Sequence, residues 1–221
     1  MSEIFKKLAL LGDVWVLWVL MGASVFSLAV VVERWLSFKK NKIDFPRFMK
    51  TMVECLDSHD LAKAKQTART IPSVESRVAL AGLENLPKGA ASVEEGMMSQ
   101  LVLERSRLEK NLIVLGTLGN NAPFIGLFGT VLGIIKAFHD LSLSGSSGVS
   151  VVMTGISSAL IATAFGILVA IPSVVANNYF QTQLRRISSN AQSLIHMMQA
   201  YLKDERHKSL GARAASEPVL R

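Results

Sequence analysis

From Leu141 to Leu184 the chain carries no Asp, Glu, Lys, Arg or His across 44 residues. A soluble fold has no reason to exclude charge for so long. A bilayer does, because a charge at its centre costs roughly 2.5 kcal/mol or more. Two further charge-free runs accompany it, 19 residues from Val14 to Val32 and 24 residues from Leu112 to Ile135. About 20 apolar residues cross the hydrocarbon core as a helix. The expected fold is therefore an all-α membrane protein with three transmembrane helices, at 14–34, 111–137 and 149–180. Lys6 and Lys7 precede the first run as they would in a signal peptide. The run continues to Val32, however, beyond the ~7–15 residues of a signal h-region, so it reads as a retained span.

Lys and Arg set the expected orientation. Of the 24, 14 fall between Glu33 and Lys110 and 7 after Leu184, in segments that three spans place on one side. The positive-inside rule makes that side cytoplasmic and puts the N-terminal segment 1–13 and a hinge at 138–148 outside. Lys6 and Lys7 then reach headgroups from an interfacial helix. Membrane topology accounts for the net charge of +7, so no nucleic acid is called for. The single Cys55 lies in the cytoplasmic loop without a partner for an internal disulfide, consistent with a reducing compartment.

The cytoplasmic region 35–110 is too small and polar for a large core of its own and reads as short amphipathic helices. Phe45, Phe48, Met49, Met52, Val53 and Leu56 recur at helical spacing after Asp44, with Pro46 near the start. A second helix is expected from Asp60 to Thr70, stopped by Pro72. A third should run from Ser73 to Leu86, with Pro87-Lys88-Gly89 as the next break. Ser92-Val93-Glu94-Glu95 looks like a capping box, from which a helix is expected to run unbroken into the second span. After the third span, Leu184, Ile187, Ala191, Leu194 and Met198 keep a helical stripe through a cytoplasmic helix, 181–208, that packs on others. Residues 209–221 have no pattern and read as a disordered tail.

Small residues dominate one face of each of the last two spans. In the second they are Gly119, Ala122, Gly126, Gly129, Gly133 and Ala137; in the third, Ala159, Thr163, Gly166, Ala170 and Ser173. Lipid tails do not drive helices together, so close backbone approach must, and small residues permit it. These faces are expected to pack between subunits around a central cavity. Thr130 and Thr163 sit on or beside them at mid-span. A membrane threonine can simply bond its own i−4 carbonyl, or it can line a polar path for water or ions. Pro123 and Pro172 fall inside spans as helix kinks. Asn120 and Asn121 are candidates for hydrogen bonds across helices, since an amide exposed to hydrocarbon is costly.

The sequence has no P-loop, no His/Cys metal cluster and no catalytic Ser/His/Asp arrangement; no enzyme activity, metal or cofactor is expected. Nor does any span contain a carboxylate. A proton path needs a titratable group in the membrane, so for a proton current a partner must bring the acid.

Residues Asn121–Ile135, NAPFIGLFGTVLGII, resemble the APxxGLxGTVxGI signature of the MotA/TolQ/ExbB proton-channel family, in its ExbB/TolQ branch. Gly155–Gly166, GISSALIATAFG, resembles its GIxxALxATAxG segment, and Ala170-Ile171-Pro172 and Asn177 continue the likeness. The resemblance implies a multi-pass subunit of the bacterial inner membrane, assembled as a homopentameric ring. Its pore would hold two helices from a dimer of an ExbD/TolR-type single-span protein that supplies the membrane aspartate. Such assemblies couple the proton or sodium motive force to mechanical work or transport across the envelope, with a TonB/TolA-type periplasmic effector as a further partner. By residue match, Thr130 and Thr163 are the pore-facing threonines. The chain departs from the pattern at Ser158, where ExbB and TolQ commonly carry a glutamate. Ser158 is about 140° around the helix from Thr163 and is expected at a subunit contact. The rival reading is a structural membrane scaffold without ion conduction, which would tolerate Thr→Ala at both threonines.

Overall fold

The computed structural model describes residues 14–144 and 148–216. Every regular element among the described residues is helical. The order is α1 (Val14–Lys40), α2 (Phe45–Asp57), α3 (Leu61–Thr70), α4 (Val74–Asn85), a 3-10 turn (Leu86–Lys88), α5 (Ala90–Glu109), α6 (Leu112–Ser144) and α7 (Val149–Ser216). Three helices are long and apolar enough to cross a membrane, and no more than 33% of the apolar window of each is buried. Trp18, Phe26, Phe124, Leu127, Leu160, Leu168 and Ile171 are all exposed. An apolar surface of that extent suits lipid or neighbouring protein, not water. The segment holding Lys6 and Lys7 lies outside the described residues.

The chain divides into two compact units, one built from residues up to Trp35 and from Asn111–Gln181, the other from Leu36–Lys110 and the chain from Thr182 onward. In the first, Val16 and Leu20 of α1 pack with Ala122 and Leu132 of α6 and with Val169 and Ala170 of α7. Trp15 meets Phe128 edge-on at 6.2 Å. The buried Ser27 and Ser173 hydroxyls hydrogen-bond at 2.7 Å, joining α1 to α7, and Ser173 Oγ also donates to its own i−4 carbonyl, Val169 O.

In the second unit local chemistry sets the helix starts. The carboxylates of Asp44 and Asp60 accept from the backbone N–H of Arg47 and Lys63, and the Ser73 hydroxyl accepts from Ser76 N–H. Phe48, Met52 and Leu56 of α2 are buried, as are Val78 and Leu83 of α4, Met97 and Leu101 of α5, and Leu184, Ala191, Leu194 and Met198 of α7. The stripe read after the third span is thus part of this core. Glu104 is buried among Arg77 at 2.8 Å, Gln100 at 2.9 Å and Arg107 at 3.3 Å; Arg77 also donates to Asn41 at 3.0 Å. Glu75, another buried acid, accepts from Asn190 of α7 at 3.1 Å.

Four expectations need correction. Ser92 does not cap a helix. Gly89, at φ 95° and ψ 171°, turns the chain directly into α5 at Ala90, so Ser92 is already inside the helix. Nor does this helix run unbroken into the second span: it ends at Glu109, and α6 begins at Leu112. At this break Asn111, a weak helix former, donates its amide to Glu33 of α1 at 3.0 Å. The hinge expected over 138–148 is helical as far as Ser144, and α7 resumes at Val149. Finally, α7 continues to Ser216 where an irregular tail was expected from 209; Ala212, Arg213, Ala214 and Ala215 are strong helix formers. Residues 217–221 lie outside the described residues.

Candidate functional site

The candidate residues converge on one antiparallel seam between α6 and the first part of α7. At its centre two glycines bring backbone against backbone. A Cβ placed on Gly126 would lie 2.6 Å from Ala162 O, and one on Gly166 would lie 2.6 Å from Ala122 O. A Cβ on Gly119 would meet Val174 Cγ2 at 2.5 Å, and one on Gly129 would meet Ala162 Cβ at 2.8 Å and Val16 of α1 at 3.0 Å. Ala122, Ala159 and Ala170 are buried, and Gly133 lines a cavity further along the seam. The small-residue faces, expected between subunits, therefore close a contact within one chain. The backbones at Gly126 and Gly166 leave no space for a helix from elsewhere. Pro123 and Pro172 sit inside continuous helices with trans peptide bonds.

One turn along from Gly126 and Gly166, the two threonines meet. Thr130 Oγ1 and Thr163 Oγ1 share a hydrogen bond, both half-buried. Thr130 Oγ1 also lies 3.1 Å from Ala159 O and 3.3 Å from its own i−4 carbonyl, Gly126 O. Each hydroxyl has one proton to give and two lone pairs to receive. The arrangement that uses them best has Thr130 donating to a carbonyl while Thr163 donates to Thr130. The Thr163 oxygen then keeps acceptor capacity. Back-bonding, one of the two alternatives in the sequence, is present at Thr130, which is anchored by carbonyls, and Thr163 is anchored through Thr130.

The remaining candidates do not join the threonine pair. Asn121 donates to Thr117 O at 2.8 Å in its own helix, not across helices, and Asn120 is exposed. Ser158 lines an open cavity of about 380 Å³ on the same seam, together with Gly133, Lys136, Asp140, Ser150 and Thr154. Sequence reasoning did not find this cavity or the Ser27–Ser173 bond. The mid-span hydroxyls at Ser27 and Ser173 were the available signals for the latter. Among the described residues there is no cluster of three or more His, Cys, Asp or Glu side chains placed to hold a metal.

The model of the MotA/TolQ/ExbB proton channel family matches residues 70–193, which contain the whole seam from Gly119 to Val174. The chain is 36% identical to the Tol-Pal system protein TolQ of Pseudomonas aeruginosa over 117 residues, 53% of this chain and 51% of that protein. It is 39% identical to the biopolymer transport protein ExbB of Aquifex aeolicus over 111 residues, 50% of this chain and 74% of that one. With ExbB of Salmonella typhimurium it shares 29% identity over 99% of its own length and 89% of the relative's. The matched region spans about half the length of the TolQ relative.

Proposed function

This chain belongs to the MotA/TolQ/ExbB proton channel family, in its ExbB/TolQ branch, and from that premise we propose that it is a stator-like ion-channel subunit of the bacterial inner membrane. Five copies surround a dimer of an ExbD/TolR-type single-span protein. The assembly couples the proton, or sodium, motive force to work or transport across the envelope through a TonB/TolA-type effector. In this reading the N-terminus faces outward, 35–110 and 181–208 are cytoplasmic, and Thr130 and Thr163 line the ion path.

The observation that carries the reading is the paired Thr130 and Thr163 hydroxyls on a seam whose charge-free runs contain no carboxylate. The partner's aspartate is then the titratable group at mid-membrane. Protonated, it donates to the Thr163 oxygen. Ionised, it accepts the Thr163 proton in place of Thr130. A hydroxyl that both gives and receives serves both states, which a fixed donor would not. Thr130, held by the Ala159 and Gly126 carbonyls, positions Thr163. Ser158 plays no proton-carrying role.

The test is Thr163→Val in cells dependent on the ion gradient, with pull-down of the partner as the assembly check. Valine keeps the shape and removes the hydroxyl, so activity should be lost while the complex still forms, and Ser158→Ala should be mild. Normal activity from Thr163→Val together with Thr130→Ala would favour the structural scaffold instead.

A further inference from the structure

The open 380 Å³ cavity at one end of the α6–α7 seam carries two opposite charges in its wall, Lys136 and Asp140. Both are half-buried residues of α6, one turn apart. Among the described residues no carboxylate pairs with the Lys136 ammonium, although Asp140 occupies the i+4 position where such pairs form. Across the groove, Gly155 packs on Ala137, and a Cβ built on it would stand 2.5 Å from Ala137 Cβ. In the antiparallel register set by that contact, Ser158 falls nearer Lys136 and Ser150 nearer Asp140. Thr154 lies between them and gives its hydroxyl proton to Ser150 O at 2.9 Å, which leaves its oxygen to accept. We infer that this groove seats the headgroup of a zwitterionic phospholipid, phosphatidylethanolamine, with its phosphate on Lys136 and its ammonium on Asp140. The site is separate from the threonine pair, and the inference does not rest on the channel reading.

The groove lies where hydrocarbon gives way to headgroups. Val14, which begins one charge-free run, lines it, and Lys136 follows directly on Ile135, the last residue of another. Ile135, Phe138, Val149 and Met153, each next in sequence or nearly so to a polar lining residue, are exposed and offer apolar surface to glycerol and acyl chains. The order of the charges matches the lipid. Its phosphate is bonded to glycerol, close to the hydrocarbon, and its ammonium lies further out. Lys136 adjoins the apolar run, and Asp140 is about 6 Å further along the helix at ~1.5 Å per residue. A simple anion would meet the Asp140 carboxylate and a metal cation the Lys136 ammonium, and like charges side by side are costly. A ligand carrying both charges satisfies both walls. A quaternary ammonium donates no hydrogen bond and is held by aromatic cages, but no aromatic side chain lines this groove. A primary ammonium has three protons to give, and the oxygens of Asp140, Thr154 and Ser150 can receive them. Lys136 and the Ser158 hydroxyl face the phosphate end. The volume equals that of roughly a dozen waters at ~30 Å³ each, room for a phosphoethanolamine group with accompanying water.

The experiment is native mass spectrometry of the full chain, purified as its assembly in mild detergent, stripped of lipid and then mixed with phosphatidylethanolamine, phosphatidylcholine or phosphatidylglycerol of identical acyl chains. The wild type should bind phosphatidylethanolamine about tenfold more tightly than either of the others, as expected for one charge-assisted hydrogen bond made or lost. Asp140→Asn should abolish the advantage over phosphatidylglycerol, because the phosphate site remains and the repulsion is gone. Lys136→Gln should weaken both lipids. The exchange Lys136→Asp with Asp140→Lys keeps both charges but reverses their order, and should lose the preference for phosphatidylethanolamine. Equal binding of the three lipids by the wild type would overturn the site, and so would a preference that survives the exchange. A wild-type preference for phosphatidylglycerol would mark an anion site and overturn the zwitterion assignment. A disulfide between two copies of Ser150→Cys, with the unmodified protein and its buried Cys55 as background, would put a second copy over the groove and overturn it as well. None of these readouts requires ion translocation, so lipid binding can fail while Thr163→Val still abolishes activity, and the reverse.

Discussion

Gly126→Ala should disable the seam, and the cost follows from the contact distances. The added methyl would stand 2.6 Å from Ala162 O and 3.1 Å from the Cα atoms of Thr163 and Gly166. A carbon settles against a carbonyl oxygen at about 3.3 Å or more, so α6 and α7 must part by about 0.7 Å. A gap of that size forfeits about a quarter to a half of the dispersion energy of each atom pair it opens. Gly119 against Val174 and Gly129 against Ala162 share the seam and are opened with it. Overpacking costs about 1–3 kcal/mol, and here both sides of the contact are backbone that cannot swing aside, so a value near 3 kcal/mol is expected. Gly116→Ala on the same helix is the control: its nearest foreign atom would be Asn177 at 3.7 Å, an ordinary contact. Helix propensity favours both changes by up to about 1 kcal/mol, so the net loss at Gly126 is about 2 kcal/mol while Gly116→Ala is neutral or stabilising. The assay is unfolding by dodecyl sulfate titrated into mild detergent, followed by tryptophan fluorescence. Equal unfolding midpoints for Gly126→Ala and the wild type, or equal losses for both alanine variants, would refute the reasoning.

Other changes have distinct expected sizes. Ser27→Ala should cost only about 0.6 kcal/mol in the same titration, because Ser173 keeps its bond to Val169 O. Glu104→Ala should cost about 1.5–3 kcal/mol, read as a lower thermal midpoint. It removes a buried carboxylate bonded by Arg77, Gln100 and Arg107, although both arginines are open enough to regain water. Gly89→Ala should cost about 1–3 kcal/mol by the same thermal readout, since φ 95° with ψ 171° is a region kept for glycine.

Local chemistry was legible in the sequence where it is decided within a few residues. Asp44, Asp60 and Ser73 announced the starts of α2, α3 and α4 because a cap needs only its own side chain and the next turn. Ser92 misled for the same reason: its motif was sound, but the glycine three residues earlier had already begun the helix. The small-residue faces were visible from spacing, yet periodicity shows which face packs and not what it meets. Gly126 meets Gly166 of its own chain, a fact that exists only once α6 and α7 fold back on each other. The cavity at Lys136 and Ser158 and the Ser27–Ser173 bond join residues far apart in sequence, with no spacing rule linking them. Charge exclusion fixed the three long helices because hydrocarbon penalises every exception. It did not locate their ends: α6 runs to Ser144 beyond Lys136, since a long side chain near a helix end can reach the interface.

The central claim is that ions pass by way of the Thr163 hydroxyl. The direct measurement is proton flux into liposomes holding this chain together with its single-span partner, driven by an imposed pH gradient. Losing a hydrogen bond to a charged group is worth about 1.5–3 kcal/mol, so Thr163→Val should slow flux roughly ten- to hundredfold, and Thr163→Ser, which restores the hydroxyl, should recover it. Wild-type flux through Thr163→Val in an intact complex would contradict the account.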